Sequence, residues 1–222
     1  MVVGFVPRFV HSKLLSGVIT LVREVAILIV GVGGQGVLLA SRIVGEAAVE
    51  SGYDCLQSEV HGMAQRGGVV TSAIKIGFDI GSPLVALGGC DLLAGFELLE
   101  TYRAAPYISG DSTVVTSTEV IQPFTVNLGL GEYPPPGEIL KILENQSGKL
   151  YRVESTKLAR EAGNVITANM VMLGAMVATG VLPMDKATVK KCLERNIPRK
   201  TVSVNLKAFE LGYSSVTHGN TL

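Results

Sequence analysis

Ile27-Leu28-Ile29-Val30-Gly31-Val32-Gly33-Gly34-Gln35-Gly36-Val37 constrains the architecture of this chain more than any other stretch. An apolar run of strand length passes into glycines spaced G-x-G-x-x-G and then into apolar residues at helical spacing, the pattern of a buried strand, a tight turn and a helix. Such a turn carries backbone N–H groups and the positive end of a helix up to an anion. A second segment, Ser58-Glu59-Val60-His61-Gly62-Met63-Ala64-Gln65-Arg66-Gly67-Gly68, follows about one βαβ unit later and is polar and glycine-rich. The order of elements predicts that both loops lie at the same edge of one sheet and form one site.

The remaining pattern extends this unit. Val25–Val30 reads as a strand, Gly36–Ser51 as a helix with Leu38, Leu39, Ile43, Ala47 and Ala48 on its apolar side, and Tyr53–Ser58 as the next strand, together one βαβ unit. Residues 69–76 alternate with period two, Val70, Ser72, Ile74 and Ile76 falling on one face. Further strands are predicted at Cys90–Phe96, Thr113–Ser117 and Lys149–Val153, and helices from Glu97 to about Tyr107, at Glu138–Gln146 after Pro134-Pro135-Pro136-Gly137, and from Ser155 through Ala162. Val165–Thr179, Asp185–Arg195 and Arg199–Tyr213 complete the chain as helices. The expectation is an α/β, Rossmann-like, three-layer fold: a doubly wound, mostly parallel sheet with helices on both faces and a helical C-terminal third. Residues 24–215 are read as the domain, 216–222 as a tail, and 1–23 as an N-terminal extension, poorly ordered or helical and without a clear signal-peptide pattern.

Composition narrows the function. A chain of 222 residues, 47% hydrophobic and 17% charged, is long enough for one domain with a well-filled core. A formal net charge of zero gives no electrostatic footprint for nucleic acid or an anionic membrane, whereas apolar surface suits a protein partner. Cys55, Cys90 and Cys192 are far apart and in no CxxC arrangement, so neither a disulfide framework nor an iron–sulfur site is encoded. Of the three histidines, His11 and His218 lie near the ends, and no metal site is expected. The apolar run from Val165 to Pro183 contains Asn169 and falls short of the ~20 residues of a membrane span, so it reads as a buried helix. A cytoplasmic location follows.

Each candidate site residue has two readings. The glycines after the strand fit phosphate binding, and Glu59 after the second strand stands at about the spacing of a ribose-binding acid in a dinucleotide fold. His61 is either a hydrogen-bonded structural histidine or part of the site. Arg66, beside Gln65 and followed by two glycines, suits a bidentate grip on phosphate or simply a solvated turn. Asn169 either satisfies neighbouring backbone or faces a ligand.

These two loops, with Ala168-Asn169-Met170-Val171-Met172-Leu173-Gly174-Ala175 and Asn205-Leu206-Lys207-Ala208-Phe209-Glu210-Leu211-Gly212-Tyr213, resemble the small subunit of the 2-oxoacid:ferredoxin oxidoreductases over about Val25 to Tyr213. The loop His61–Gly68 is similar to that of the beta subunit of the indolepyruvate branch. The resemblance implies a subunit of an enzyme that oxidatively decarboxylates a 2-oxoacid, passes electrons to ferredoxin and captures the acyl group on coenzyme A. It further implies that thiamine diphosphate, magnesium and [4Fe-4S] clusters reside in a larger partner, since Gly110-Asp111-Ser112 stops short of a thiamine-diphosphate motif and no cysteine cluster is present. Carried over by position, Gly33, Gly34, Gln35, Gly36, Arg66 and Asn169 would form a coenzyme A cleft, with His61 and Gln65 ordering a loop at the subunit junction. No catalytic residue is assigned. Other readings are a gamma-type subunit of a pyruvate, 2-oxoglutarate or 2-oxoisovalerate enzyme, and a free-standing NAD(P)-dependent Rossmann oxidoreductase.

Overall fold

The first long strand, β3 (Val25–Val32), is buried over all but its first residue, which only an interior strand covered on both faces can be. A computed structural model of the chain describes residues 10–15, 18–62 and 68–218. After β3 come α1 (Val37–Glu50), β4 (Asp54–His61), β5 (Val69–Gly77), β6 (Leu92–Gly95), α2 (Leu98–Arg103) and β7 (Thr113–Ser117). Next are α3 (Phe124–Asn127), α4 (Pro136–Gln146), β8 (Lys149–Val153), α5 (Ser155–Ala162), α6 (Ala168–Ala178), α7 (Lys186–Asn196) and α8 (Val202–Thr217). The sheet has six strands in the order β4-β5-β3-β6-β7-β8, and β5 alone runs against the others.

That order departs from the simple βαβ unit read in the sequence. β4 is parallel to β3 but is not its neighbour, because β5 inserts between them and pairs antiparallel with both. Burial explains the choice. β5 offers the apolar face Val70, Ile74 and Ile76, which suits the interior, whereas β4 carries Gln57, Ser58 and Glu59 with Leu56 and Val60 exposed, which suits an edge.

Alternation along the strands divides the core in two. Ile27 and Ile29 of β3, Leu92 and Ala94 of β6, Val115 of β7 and Val153 of β8 face the layer of α1 and α5 to α8. Leu28, Val30, Leu93 and Val114 face α2 and α4 on the opposite side. The expected three layers are therefore present, with unequal helical coverings.

α6 is buried all round from Asn169 to Val177 and lies against α8. The two helices meet backbone to backbone at Gly174 and Gly212. A Cβ on Gly212 would stand 2.6 Å from the carbonyl carbon of Val171 and nearer still to its oxygen, and one on Gly174 would overlap the carbonyl oxygen of Phe209.

Several element ends differ from expectation for local reasons. The helix predicted from Glu97 to Tyr107 stops at Arg103 and tightens into a 3₁₀ turn over Ala105–Tyr107, which contains Pro106. The apolar run from Val165 opens with a 3₁₀ turn, Val165–Thr167, capped by the Asn164 side chain accepting from Ile166 N–H, so α6 proper begins at Ala168. Another 3₁₀ turn, Arg199–Thr201, precedes α8, which runs on to Thr217. Within the N-terminal extension, β1 (Val10–Leu15) and β2 (Val18–Arg23) pair as an antiparallel hairpin instead of a helix. Among the described residues no helix is long and apolar enough to cross a membrane.

Candidate functional site

The chain turns toward β4 after β3 and toward β7 after β6, so the parallel neighbours β3 and β6 flank the switch point of the sheet, where a crevice opens beyond the strand ends. Gly34 and Gln35 after β3, Phe96 after β6, Glu119 and Ile121 after β7, and Ser155 and Thr156 after β8 all line a cleft of about 220 Å³ there. Val165, Ile166, Ala168, Asn169 and Met172 close its helical wall.

The glycine turn is shaped by contacts within the domain. Gly33 N–H donates to Gly68 O at 2.8 Å, which joins this turn to the end of the second loop as the sequence predicts. Gln35 is a clasp across the switch point: its Oε1 accepts from Val32 N–H at 2.9 Å and its Nε2 donates to Phe96 O at 2.8 Å. Both ends of that amide are thus used by the fold. Gly36 sits at φ +75°, and a Cβ there would also overlap the Asn169 amide, so the turn and the start of α6 are in direct contact.

Donors remain for a ligand. α1 begins without a side-chain cap, leaving first-turn N–H groups that a helix cannot itself satisfy, whereas α6 continues the 3₁₀ turn before it, with Ala168 N–H bonded to Val165 O. Asn169, only 8% exposed, lies at the second position of α6 and not deep within a helix as the sequence suggested. Its Oδ1 accepts from Met170 N–H at 3.0 Å, while its Nδ2 has no partner among the described residues and lies at the cleft wall. A helix N-terminus favours an anion by ~0.3–2 kcal/mol, and a side-chain amide adds a directed donor. The β7–β8 side differs, because the Glu119 carboxylate already accepts from Thr156 Oγ1 at 2.5 Å at the start of α5. An anionic ligand is therefore drawn toward Gly34 and Asn169, and a hydrogen-bond donor toward Glu119.

Beneath the cleft is a buried carboxylate that the sequence did not single out. Glu97 caps α2, accepting from Glu100 N–H at 2.9 Å, from Ile121 N–H at 3.1 Å and from the Tyr133 hydroxyl at 2.8 Å. Burial and this bond push the Tyr133 phenol well above its ordinary pKa, so it stays a protonated donor. The available signal was an acid placed immediately after a buried strand.

Other predicted residues are placed as follows. Glu59 is two strands away from β3 and accepts from Gln57 Nε2 at 2.8 Å, so it does not stand where a ribose-binding acid would. His61 ends β4, its backbone opposite Val70, which in turn opposes Gly31. Gln65 and Arg66 lie outside the described residues. A wider surface groove of about 850 Å³ runs beside α1, β4 and α7, but Glu50 there is engaged by Lys191 and Arg195, and Asn196 by Glu46. The cleft at the strand ends is the better candidate because the glycine turn, the ends of β6, β7 and β8 and the start of α6 converge on it at the switch point.

The model of the pyruvate ferredoxin/flavodoxin oxidoreductase family matches residues 26–215. The chain belongs to this family. Among curated members, indolepyruvate oxidoreductase subunit IorB of Pyrococcus horikoshii is 41% identical over 191 residues, which cover 86% of this chain and 95% of that one. A solved structure, the gamma subunit of a keto/oxoacid ferredoxin oxidoreductase from Geobacter sulfurreducens, superposes with a TM-score of 0.64 at 28% identity, covering 88% of this chain and 99% of its own. Ketoisovalerate oxidoreductase subunit VorA of Methanothermobacter marburgensis is a more distant family relative, 26% identical over 193 residues that make up only 36% of its length.

Proposed function

We propose that this chain is the small, beta-type subunit of an indolepyruvate ferredoxin oxidoreductase. With a larger catalytic subunit it takes part in the coenzyme A-dependent oxidative decarboxylation of aryl 2-oxoacids, indolepyruvate to indoleacetyl-CoA and carbon dioxide, with electrons passing to ferredoxin in the cytoplasm. The observation that carries this reading is the 41% identity to IorB along 95% of that subunit. Relatives acting on other 2-oxoacids match at lower identity, as VorA does at 26%.

Within the complex, the domain at residues 24–215 contributes one wall of the coenzyme A cleft. The donor set fits the pyrophosphate of that co-substrate: the open first turn of α1, Gly34, and the unpartnered Nδ2 of Asn169. Arg66, from the adjoining loop, adds charge to the same phosphates. Gly33, Gln35 and Gly36 act by holding the turn open, through the Gly68 contact, the clasp to Phe96 and the positive φ. His61 and Gln65 order the loop at the subunit junction. The [4Fe-4S] clusters, thiamine diphosphate and magnesium are assigned to the larger subunit, as the resemblance to the family implies.

The test is anaerobic co-expression with the larger subunit and assay of coenzyme A-dependent electron transfer from indolepyruvate, pyruvate, 2-oxoglutarate and 2-oxoisovalerate. A marked preference for indolepyruvate is expected. Preference for another 2-oxoacid moves the chain to that branch, and failure to form any complex overturns the subunit reading.

A further inference from the structure

Between β7 and α4 the chain makes an excursion, residues 118–135, whose two legs are tied to one buried side chain. Glu97, 1% exposed, accepts from Ile121 N–H at 3.1 Å on the outgoing leg and from the Tyr133 hydroxyl at 2.8 Å on the returning one. Leu98 N–H donates to Glu119 O at 3.0 Å and adds a third tie. The tip closes on itself: Val126 N–H bonds Pro123 O, Leu128 N–H bonds Phe124 O, Gly129 N–H bonds Val126 O, and Leu130 N–H bonds Thr125 O, all at 2.9–3.0 Å. Its backbone is therefore held from inside, independently of packing against the sheet.

This self-supporting tip displays large apolar side chains outward. Phe124 is 74% exposed, Leu128 55% and Leu130 75%, and no charged residue occurs from Val120 to Gly131. Across the cleft, Ile166 is 79% exposed. Isolated exposed hydrophobics are ordinary, but an uncharged cluster on a pinned loop marks an interaction surface. Two further observations name the occupant. The cleft that this loop borders through Glu119 and Ile121 has about 220 Å³, below the ~300–1,000 Å³ usual for a site enclosing an organic ligand. In VorA the matched region is 36% of the chain, so a domain of this family is there continuous with nearly twice its own length of further polypeptide.

We infer that the knob formed by Phe124, Leu128 and Leu130, with Ile166 on the opposite rim, docks into an uncharged apolar recess of the larger subunit, which thereby roofs the cleft. This rests on the subunit reading above. Glu97 is the positioning residue that sets the knob's angle to the cleft.

The test is a Phe124→Asp/Leu130→Asp double variant of the full chain, co-expressed with the larger subunit, and in parallel Phe124→p-benzoylphenylalanine for photo-crosslinking. The double variant should melt as the wild type does, since both side chains face water, while its affinity for the larger subunit falls at least 100-fold. The crosslink should join this chain to the larger subunit. Undiminished assembly of the double variant, no crosslink, or a crosslink only to a second copy of this chain each overturns the inference. Where the wild type itself fails to bind the larger subunit, the subunit reading falls and this docking site with it; where it binds and the double variant binds equally, only the docking site falls.

Discussion

Two glycines in helices provide a prediction of opposite sign from the same chemical change. In an open helix, Gly→Ala is expected to stabilise by up to ~1 kcal/mol through backbone entropy. At Gly212 on α8 the added Cβ would fall on the backbone of Val171 on α6, 2.6 Å from its carbonyl carbon. No flexible side chain can yield there, so the helices must part, and the contact shared by Phe209, Met170 and Leu173 opens with them. Overpacking a tight core costs ~1–3 kcal/mol; a backbone-to-backbone clash takes the upper end, and the propensity gain of up to ~1 kcal/mol leaves a net loss of about 2 kcal/mol. For a chain of this size that is a fall of roughly 4–8 °C in Tm. Gly45 on α1 is the control: its Cβ would meet only Gln57 Oε1 at 3.4 Å and Cys55 Sγ at 3.6 Å, ordinary contacts. Gly45→Ala should hold or raise Tm by a few degrees. Thermal melts followed by circular dichroism, with urea titration for ΔG, decide the matter. A Gly212→Ala variant as stable as Gly45→Ala would refute the claim that α6 and α8 meet through their backbones.

Three further outcomes are expected. Asn169→Leu should raise the KM for coenzyme A about tenfold, the worth of one hydrogen bond to a charged group, and lower Tm by a few degrees because Met170 N–H loses its acceptor; an equal fall in the reaction without coenzyme A would show a role in assembly instead. Gln35→Leu removes both ends of the clasp between Val32 and Phe96, for a loss of roughly 1–3 kcal/mol in urea titration, and an unchanged stability would mean that the crevice does not depend on it. Glu50, bonded to Lys191 and Arg195, has its carboxyl lowered from 4.5 to about 2. In that window the unfolded chain binds a proton that the folded one does not, so its contribution is complete above about pH 4.5 and is lost as pH falls toward 2. The melting difference between wild type and Glu50→Gln should shrink over the same range, and a difference independent of pH would exclude the ion pairs as its cause.

How far the chain could be read depends on whether a signal is local. β3, its glycine turn and α1 were legible because burial on both faces and a positive φ leave direct marks in residue type. The alternation at 69–76 announced a strand but not its partner; insertion of β5 between β3 and β4 is settled by which faces the rest of the molecule covers. Asn169 was noticed as polar in an apolar run, yet its place at a helix start was hidden because a 3₁₀ turn and an α-helix share the same apolar residues there. In the turn, residue type marks Gly33 and Gln35 as candidates for a site, while their bonds to Gly68 and Phe96 join segments far apart in the sequence. Glu97 escaped notice for the same reason, since two of its donors, Ile121 and Tyr133, come from a later excursion.

The separation of α8 from α6 along the chain also governs how the molecule can be made. α6, buried all round from Asn169 to Val177, is synthesised before the helix that covers it, with α7 and a 3₁₀ turn lying between the two. A growing polypeptide therefore carries its stickiest helix uncovered until α8 has followed it, the kind of exposure that feeds aggregation. A chain cut between α7 and α8 would keep every strand of the six-stranded sheet but have no lid for its main core, so it is expected to be insoluble and not a shortened working subunit.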